Sequence, residues 1–316
     1  MISRRILLGS FVPFGIACRA SRRKRIGVVP KATSHLFFVN IHRGVDQAAR
    51  DFNVDVLWNG PNEETDHARQ IQIVESMITQ HLDAIAISAT DERALAAPVE
   101  RAIKAGIPVS IFDSGVNVEN YVSFIATDNL DAGRTAARLI AKLVGGKGKV
   151  GMVMHKPGGT STMLREQGFE ETMTSEFPGV VVAARQYGMS DRARSRAAAE
   201  NILTAHPDLA GIFASSEASS LGAIQAIRAR GLSGKVKLIT FDSSDSHVEA
   251  LADGTINAML VQEPFRIGYE AVRSLAEKLA GRTPDSRLDI PARIITKPDL
   301  DKPEVRQLLS TTHAQK

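Results

Sequence analysis

Two aspartates stand at matched places in the chain. Asp113 closes Val109-Ser110-Ile111-Phe112, and Asp242 closes Lys237-Leu238-Ile239-Thr240-Phe241. Each is preceded by Phe and followed by Ser. A carboxylate at the end of an apolar strand accepts hydrogen bonds from two neighbouring hydroxyls, which suits sugars and polyols. The plainer role for each is a helix N-cap or turn residue, since Asp favours both. The matched pair favours a ligand. A second cluster is Pro30-Lys31-Ala32-Thr33-Ser34-His35-Leu36-Phe37-Phe38, which sets Lys31 and His35 beside two adjacent aromatics. Aromatic faces pack on the C–H face of a sugar while polar groups take its hydroxyls. One of Phe37 and Phe38 is expected in the core and the other in the cleft. Arg165, Ser216, Glu217 and Gln262 follow later elements and offer further polar groups, with solvated charge or helix capping as their ordinary roles.

Other chemistries lack their residues. Lys31 and its neighbours carry no dinucleotide-binding glycine fingerprint. Gly145-Gly146-Lys147-Gly148 reads as a turn, and Gly158-Gly159 as a tight turn opening a helix whose N-terminal amides suit a ligand oxygen. There is no His-Glu-x-x-His pattern, P-loop or Gly-x-Ser-x-Gly elbow. The single cysteine, Cys18, excludes an intrachain disulfide and a cysteine-cluster zinc site. The reading is therefore a non-enzymatic binder without cofactor or metal.

The elements that must position these residues alternate strand and helix. Candidate strands are Ile26–Pro30, Val54–Trp58, Ala84–Ser88, Val109–Phe112 and Ser123–Ala126. After them come Val150–His155, Val180–Ala184, Gly211–Ala214, Lys237–Phe241, Ala258–Val261 and Arg293–Thr296. Between them Asp66–Thr79, Ala94–Ala105, Arg134–Val144, Arg192–Ala205 and Ser219–Arg230 read as helices. In the first, Ile71, Val74 and Ile78, with Leu82 beyond, form one apolar stripe. The pattern predicts an α/β fold of parallel sheets with helices on both faces. A strand–helix–Gly–strand–Phe-Asp-Ser unit, passing through Gly106, recurs through Gly231, so two doubly wound lobes are expected. Ligands of such sheets lie beyond the strands' carboxyl ends, which would bring Asp113 and Asp242 to one cleft.

The 316 residues carry a net charge of +4, but residues 1–25 hold seven basic and no acidic side chains. Without those seven, 32 basic residues face 35 acidic ones. The body is mildly acidic, which argues against a nucleic-acid partner. Arg4 and Arg5 followed by the apolar run Ile6–Cys18 have the pattern of a secretory signal peptide, too short to span a bilayer. Ser3–Leu8 also resembles a twin-arginine signal, and Cys18 after Gly15-Ile16-Ala17 resembles a lipoprotein cleavage site.

Taken in order, Val28-Val29-Pro30-Lys31, Phe37-Phe38-Val39, Phe112-Asp113-Ser114 and Ala126-Thr127-Asp128-Asn129 resemble a known family. Gly168-Phe169, Leu203-Thr204-Ala205-His206-Pro207-Asp208, Leu221-Gly222-Ala223, Phe241-Asp242 and Gln262 continue the match. The chain resembles periplasmic sugar-binding proteins of the ribose-binding type, the type I periplasmic binding proteins of ABC importers, over about residues 25–298. The resemblance implies ligand contacts at Phe37, Phe38, Asp113, Asp242 and Gln262. It implies crossovers near Thr127, Gln262 and Pro291 that act as a hinge, and closure of the lobes on binding. The domains expected are a leader and tether (1–25), lobe one (26–127 with 263–291), lobe two (128–262 with 292–298) and a C-terminal tail (299–316). The expected protein is a periplasmic monomer, with Cys18 as a candidate lipid anchor, that hands a small polyhydroxylated ligand to a membrane permease. Ser114 stands where ribose binders usually carry arginine, and Ser216 lies near their usual asparagine, which speaks against ribose itself. Pro30-Lys31 and Asp113-Ser114 also resemble proteins that bind the furanosyl autoinducer-2 signal, the alternative ligand. A transcription regulator of the same two-lobed type is the other alternative, and would need a DNA-binding helix-turn-helix ahead of the first strand.

Overall fold

The computed structural model describes residues 22–312; the leader, including Cys18, lies outside them. The chain begins with β1 (Arg25–Val29), α1 (Leu36–Asp51), β2 (Asp55–Trp58), α2 (His67–Thr79), β3 (Ala84–Ile87), α3 (Ala96–Lys104), β4 (Val109–Phe112) and β5 (Phe124–Thr127). It continues with α4 (Asn129–Leu143), β6 (Gly148–Met154), α5 (Thr160–Glu176), β7 (Val180–Tyr187), α6 (Arg192–Ala205), β8 (Leu209–Ala214), α7 (Glu217–Ala229) and β9 (Lys237–Phe241). The last elements are α8 (Asp245–Ala252), β10 (Ala258–Val261), α9 (Pro264–Leu279), β11 (Arg287–Ile290), β12 (Arg293–Ile295), a short 3₁₀ turn and α10 (Pro303–Thr312).

Two six-stranded sheets result, in the orders β11-β5-β4-β3-β1-β2 and β12-β10-β9-β8-β6-β7. Every pair is parallel except β10 with β12. The expected pair of doubly wound lobes is therefore present. The inner strands are buried on both faces because each face is covered. In β3, Ala84 and Ala86 pack on the side of α1 and α9, while Ile85 and Ile87 pack on the side of α2 and α3. In lobe two, Ile212 and Ala214 of β8 enter one core and Phe213, stacked on Phe169, enters the other.

The chain passes between sheets three times, from β5 to α4, from β10 to α9 and from β11 to β12. Asp128 N–H donates to the Ile290 carbonyl at 3.0 Å, tying two crossovers together. Each lobe also has a helix pair in which both helices bring a glycine to the contact. A Cβ on Gly44 of α1 would lie 1.9 Å from the Phe265 carbonyl oxygen, and one on Gly268 of α9 2.1 Å from that of Ile41. In lobe two, Gly133 of α4 abuts the Arg165 carbonyl and Gly168 of α5 that of Leu130 in the same way.

Some boundaries differ from the sequence reading. The helix expected from Arg134 starts five residues earlier, because Asp128 caps it by accepting from the Asp131 N–H at 3.1 Å. Strand β1 includes Arg25, expected in the tether, and β5 runs one residue later than expected. β11 was not anticipated: an edge strand with exposed Arg287 and Asp289 has little apolar signal. The expected tail holds α10, whose Val305 and Leu309 are buried in the core of lobe two.

Candidate functional site

The carboxyl ends of both sheets face a common cavity, which the closed lobes reduce to about 30 Å³. Lys31, His35, Phe37, Phe38 and Asp113 line it from lobe one, and Arg165, Ser216, Glu217, Asp242 and Gln262 from lobe two. These are all the sequence candidates except Ser114. Ser114 is fully buried beside the cavity, its hydroxyl 3.1 Å from that of Thr160 across the cleft. Glu64, His155, Ser161, Thr162 and Ala218 also line the cavity and were not singled out by sequence.

The two aspartates occupy equivalent positions. Each follows the last residue of its strand and takes a positive φ, 56° at Asp113 and 69° at Asp242, which turns the side chain back over the strand end. Asp113 Oδ2 accepts from Ser88 Oγ at 2.7 Å and lies 3.2 Å from Lys31 Nζ. Asp242 accepts from Gln262 Nε2 at 2.6 Å and from the Glu217 N–H at 2.9 Å. Phe38 is fully buried in the core of lobe one, with β1 and β4, and also borders the cavity, while Phe37 is half-buried, packs against the same core and lines the cavity, so the expected division between core and cleft is only partial. Adjacent residues on a helix point about 100° apart, which gives Phe38 the deeper place.

Arg165 is held from four directions. Its Nε donates to Asn129 Oδ1 at 2.8 Å, Nη1 to the Ser215 carbonyl at 3.0 Å and Nη2 to Gln262 Oε1 at 2.9 Å. Its guanidinium carbon lies 3.8 Å from the centre of the Phe241 ring, a cation–π arrangement. Gln262 Oε1 also accepts from Thr127 Oγ1 at 2.7 Å. One glutamine, at the end of β10, thus joins a crossover, the arginine and Asp242.

Several bonds span the cleft, so the lobes are closed on each other. Lys31 Nζ donates to Ser161 Oγ at 3.2 Å, and Lys156 Nζ to the Thr90 carbonyl at 2.5 Å. His155 Nε2 lies 2.9 Å from Glu64 Oε2, and its Nδ1 lies 2.9 Å from Ser216 Oγ. Burial holds His155 toward the neutral imidazole against the pull of Glu64, so Nε2–H donates to Glu64 and Nδ1 accepts the serine hydroxyl. Glu217 Oε2 accepts from the Phe37 N–H at 3.2 Å. The N-cap residue of α1, His35, supplies no side-chain cap of its own, so a carboxylate from lobe two satisfies one of the helix's free N-terminal donors.

Charge in the cavity is unevenly compensated. Burial opposes ionisation of Glu64, yet Lys31, His155 and His35 hold it well below the usual carboxylate range. Lys31 is desolvated too, but Asp113 and Glu64 keep it charged. Burial raises Asp242, with Arg165, Gln262 and the Glu217 N–H offsetting only part of the effect. Burial and then the charge of Asp242 raise Glu217. Behind Arg165, burial pushes Glu166 up to about 7. Among the described residues no group of three His, Cys, Asp or Glu side chains is placed to hold a metal ion, and no helix is long and apolar enough to cross a membrane.

Two doubly wound lobes, three crossovers and a polar cavity made by both halves define a ligand-trapping binding protein rather than a one-sided pocket. The chain belongs to the periplasmic binding protein family, whose domain model matches residues 26–283. It is 28% identical over 302 residues to a D-ribose/D-allose-binding protein of Pseudomonas aeruginosa, covering 92% of this chain and 94% of that one. It is also 28% identical to a ribose import binding protein of Bacillus subtilis, covering 86% and 87%. Among solved structures it resembles a carbohydrate-transporter solute-binding protein of Agrobacterium radiobacter in complex with D-arabinose. That match has 31% identity and a TM-score of 0.88, and covers 92% of this chain and all of the other. An ABC-transporter solute-binding protein of Agrobacterium vitis bound with α-D-tagatopyranose gives 30% identity and a TM-score of 0.87, covering 91% and 99%.

Proposed function

We propose that this chain is an exported receptor that captures a small sugar or polyol between its lobes and delivers it to an ABC-transporter permease. The observation that carries this reading is the cavity closed by both lobes, with Asp113 and Asp242 at matching strand ends. In it, Asp113, Asp242 and Gln262 receive ligand hydroxyls, Arg165 donates to a ligand oxygen, and the Phe37 ring covers an apolar ring face. Lys31, His35, Ser216 and Glu217 complete the polar wall. The basic and apolar leader supports export to the periplasm, and Cys18 supports a lipid anchor there. Delivery as a monomer fits a cleft built from one chain. The relatives, named for sugars, favour this reading over the autoinducer-2 and regulator alternatives.

The direct test is a thermal-shift screen of monosaccharides and polyols on residues 22–316, followed by calorimetry. A ligand at 100 times its Kd stabilises by about 2.7 kcal/mol. Absence of any shift across pentoses, hexoses, ketoses and their polyols would remove the proposal.

A further inference from the structure

The carboxylates of the cavity fall into two groups. In lobe one, Asp113 and Glu64 share Lys31 Nζ at 3.2 and 3.6 Å, and Glu64 also meets His35 at 3.4 Å. In lobe two, Asp242 and Glu217 have no Lys, Arg or His nitrogen within 4 Å of their oxygens among the described residues. Their hydrogen-bond donors are neutral: a glutamine amide and two backbone N–H groups. Arg165 acts on Asp242 only at a distance: three of its five N–H groups are directed to Asn129, Ser215 and Gln262. Four carboxylates thus face the cavity against Lys31, Arg165 and His35, whose imidazole Glu64 and Glu217 draw toward its charged form against burial. With all four ionised, even a protonated His35 leaves the lining one positive charge short.

The shortfall has a location. A small recess that shares Phe37, Glu217, Asp242 and Gln262 with the cavity is lined further by Asn40 and Pro264. It places an aromatic ring from lobe one beside the two uncompensated carboxylates of lobe two. Ring faces and carboxylates both attract a desolvated cation. An unmet carboxylate pair, buried at Asp242 and half-buried at Glu217, is costly, and a neutral sugar brings only hydroxyl dipoles to it. A small cationic group would pair with both acids as the lobes close.

We propose that the ligand of this cleft carries a protonated amino group, as an amino sugar or amino polyol does, seated among Phe37, Glu217 and Asp242. This rests on the sugar-receptor reading and narrows it. The experiment measures calorimetric affinity at about pH 6.5, below the pKa of an aliphatic amine. The panel is D-glucosamine, D-galactosamine and D-mannosamine, their neutral parents and N-acetyl forms, together with D-ribose, D-allose, D-arabinose, D-tagatose and their reductively aminated counterparts. At least one amine is expected to bind roughly tenfold or more tightly than its neutral parent, a gap of about 1.4 kcal/mol. N-acetylation should erase that preference, and Glu217→Gln, which retains the acceptor for the Phe37 N–H, should reduce the amine-to-neutral ratio at least tenfold. Neutral sugars that bind as well as or better than their amines overturn the inference while leaving the receptor reading intact. No binding in either series overturns both.

Discussion

Glu166 lies behind the cleft with its Oε1 accepting from the His155 N–H at 2.9 Å and from Ser215 Oγ at 2.7 Å. Burial raises its pKa from 4.5 to about 7, with the two hydrogen bonds and Arg165 only partly opposing. Below about pH 4.5 the group is protonated in both the folded and the unfolded chain. Between about 4.5 and 7 the unfolded chain releases the proton and the folded chain keeps it, so rising pH favours unfolding. Above about 7 both forms are ionised and the penalty stays constant. A gap of about 2.5 in pKa corresponds to about 3 kcal/mol of stability lost across this window. Glu166→Gln keeps the shape and the accepting oxygen but does not titrate. The variant should therefore match the wild type near pH 4 and exceed it by up to about 3 kcal/mol at pH 8. Urea unfolding of both proteins without ligand, at half-unit steps from pH 4 to 8, gives the difference directly, and titrations common to both cancel. A stability difference that stays flat within about 0.5 kcal/mol over this range would refute the buried, proton-holding glutamate.

Phe38→Ala removes a fully packed ring and should cost roughly 3–5 kcal/mol in stability. Phe37→Ala, next to it but facing the cavity, should chiefly weaken ligand binding, as paired denaturation and calorimetry would show. Gly133→Ala places a Cβ 2.0 Å from the Arg165 carbonyl. Overpacking of this kind costs roughly 1–3 kcal/mol or more, and ligand affinity should fall with it because Arg165 moves; an unchanged melting temperature would contradict the contact. Gln262→Ala should weaken affinity by about tenfold or more, since it frees Arg165 and Thr127 of a shared acceptor. Small-angle scattering should show a smaller radius of gyration with ligand than without, and superimposable profiles around a tight ligand would argue against closure of the lobes.

The fold was legible because its inner strands are buried on both faces. Continuous runs such as Ala84–Ile87 and Val109–Phe112 stand out where no polar alternation blurs them. The duplicated Phe-Asp-Ser endings gave the lobes and the two aspartates together. β11 stayed hidden because only Ile290 of its residues is fully buried, and the early start of α4 because its signal is a cap rather than a stripe. Within the cleft, residues at strand ends could be read from sequence. Glu64 could not, since it sits in a loop whose course toward His155 of the other lobe depends on lobe packing. His155 closed an expected strand and still gave no hint of its partner. Ser114 follows a cleft aspartate, and position alone could not show that its hydroxyl turns aside to Thr160.

The left-handed backbone at Asp113 and Asp242 bears on how the receptor could be silenced or retuned. For most residues that conformation costs roughly 1–2 kcal/mol, while asparagine tolerates it and glycine adopts it freely. Alanine at either position would mix two effects, loss of the carboxylate and a penalty on the chain itself. Asparagine separates charge from shape, and glycine removes the side chain while relaxing the turn. A blind receptor with unstrained turns is therefore reached through Asp113→Gly with Asp242→Gly more directly than through alanine, at the cost of the donors that the two carboxylates now satisfy. The same asymmetry narrows what drift can supply at these two sites: most replacements that discard the ligand contact also tax the scaffold, so the aspartates are held by geometry as well as by recognition.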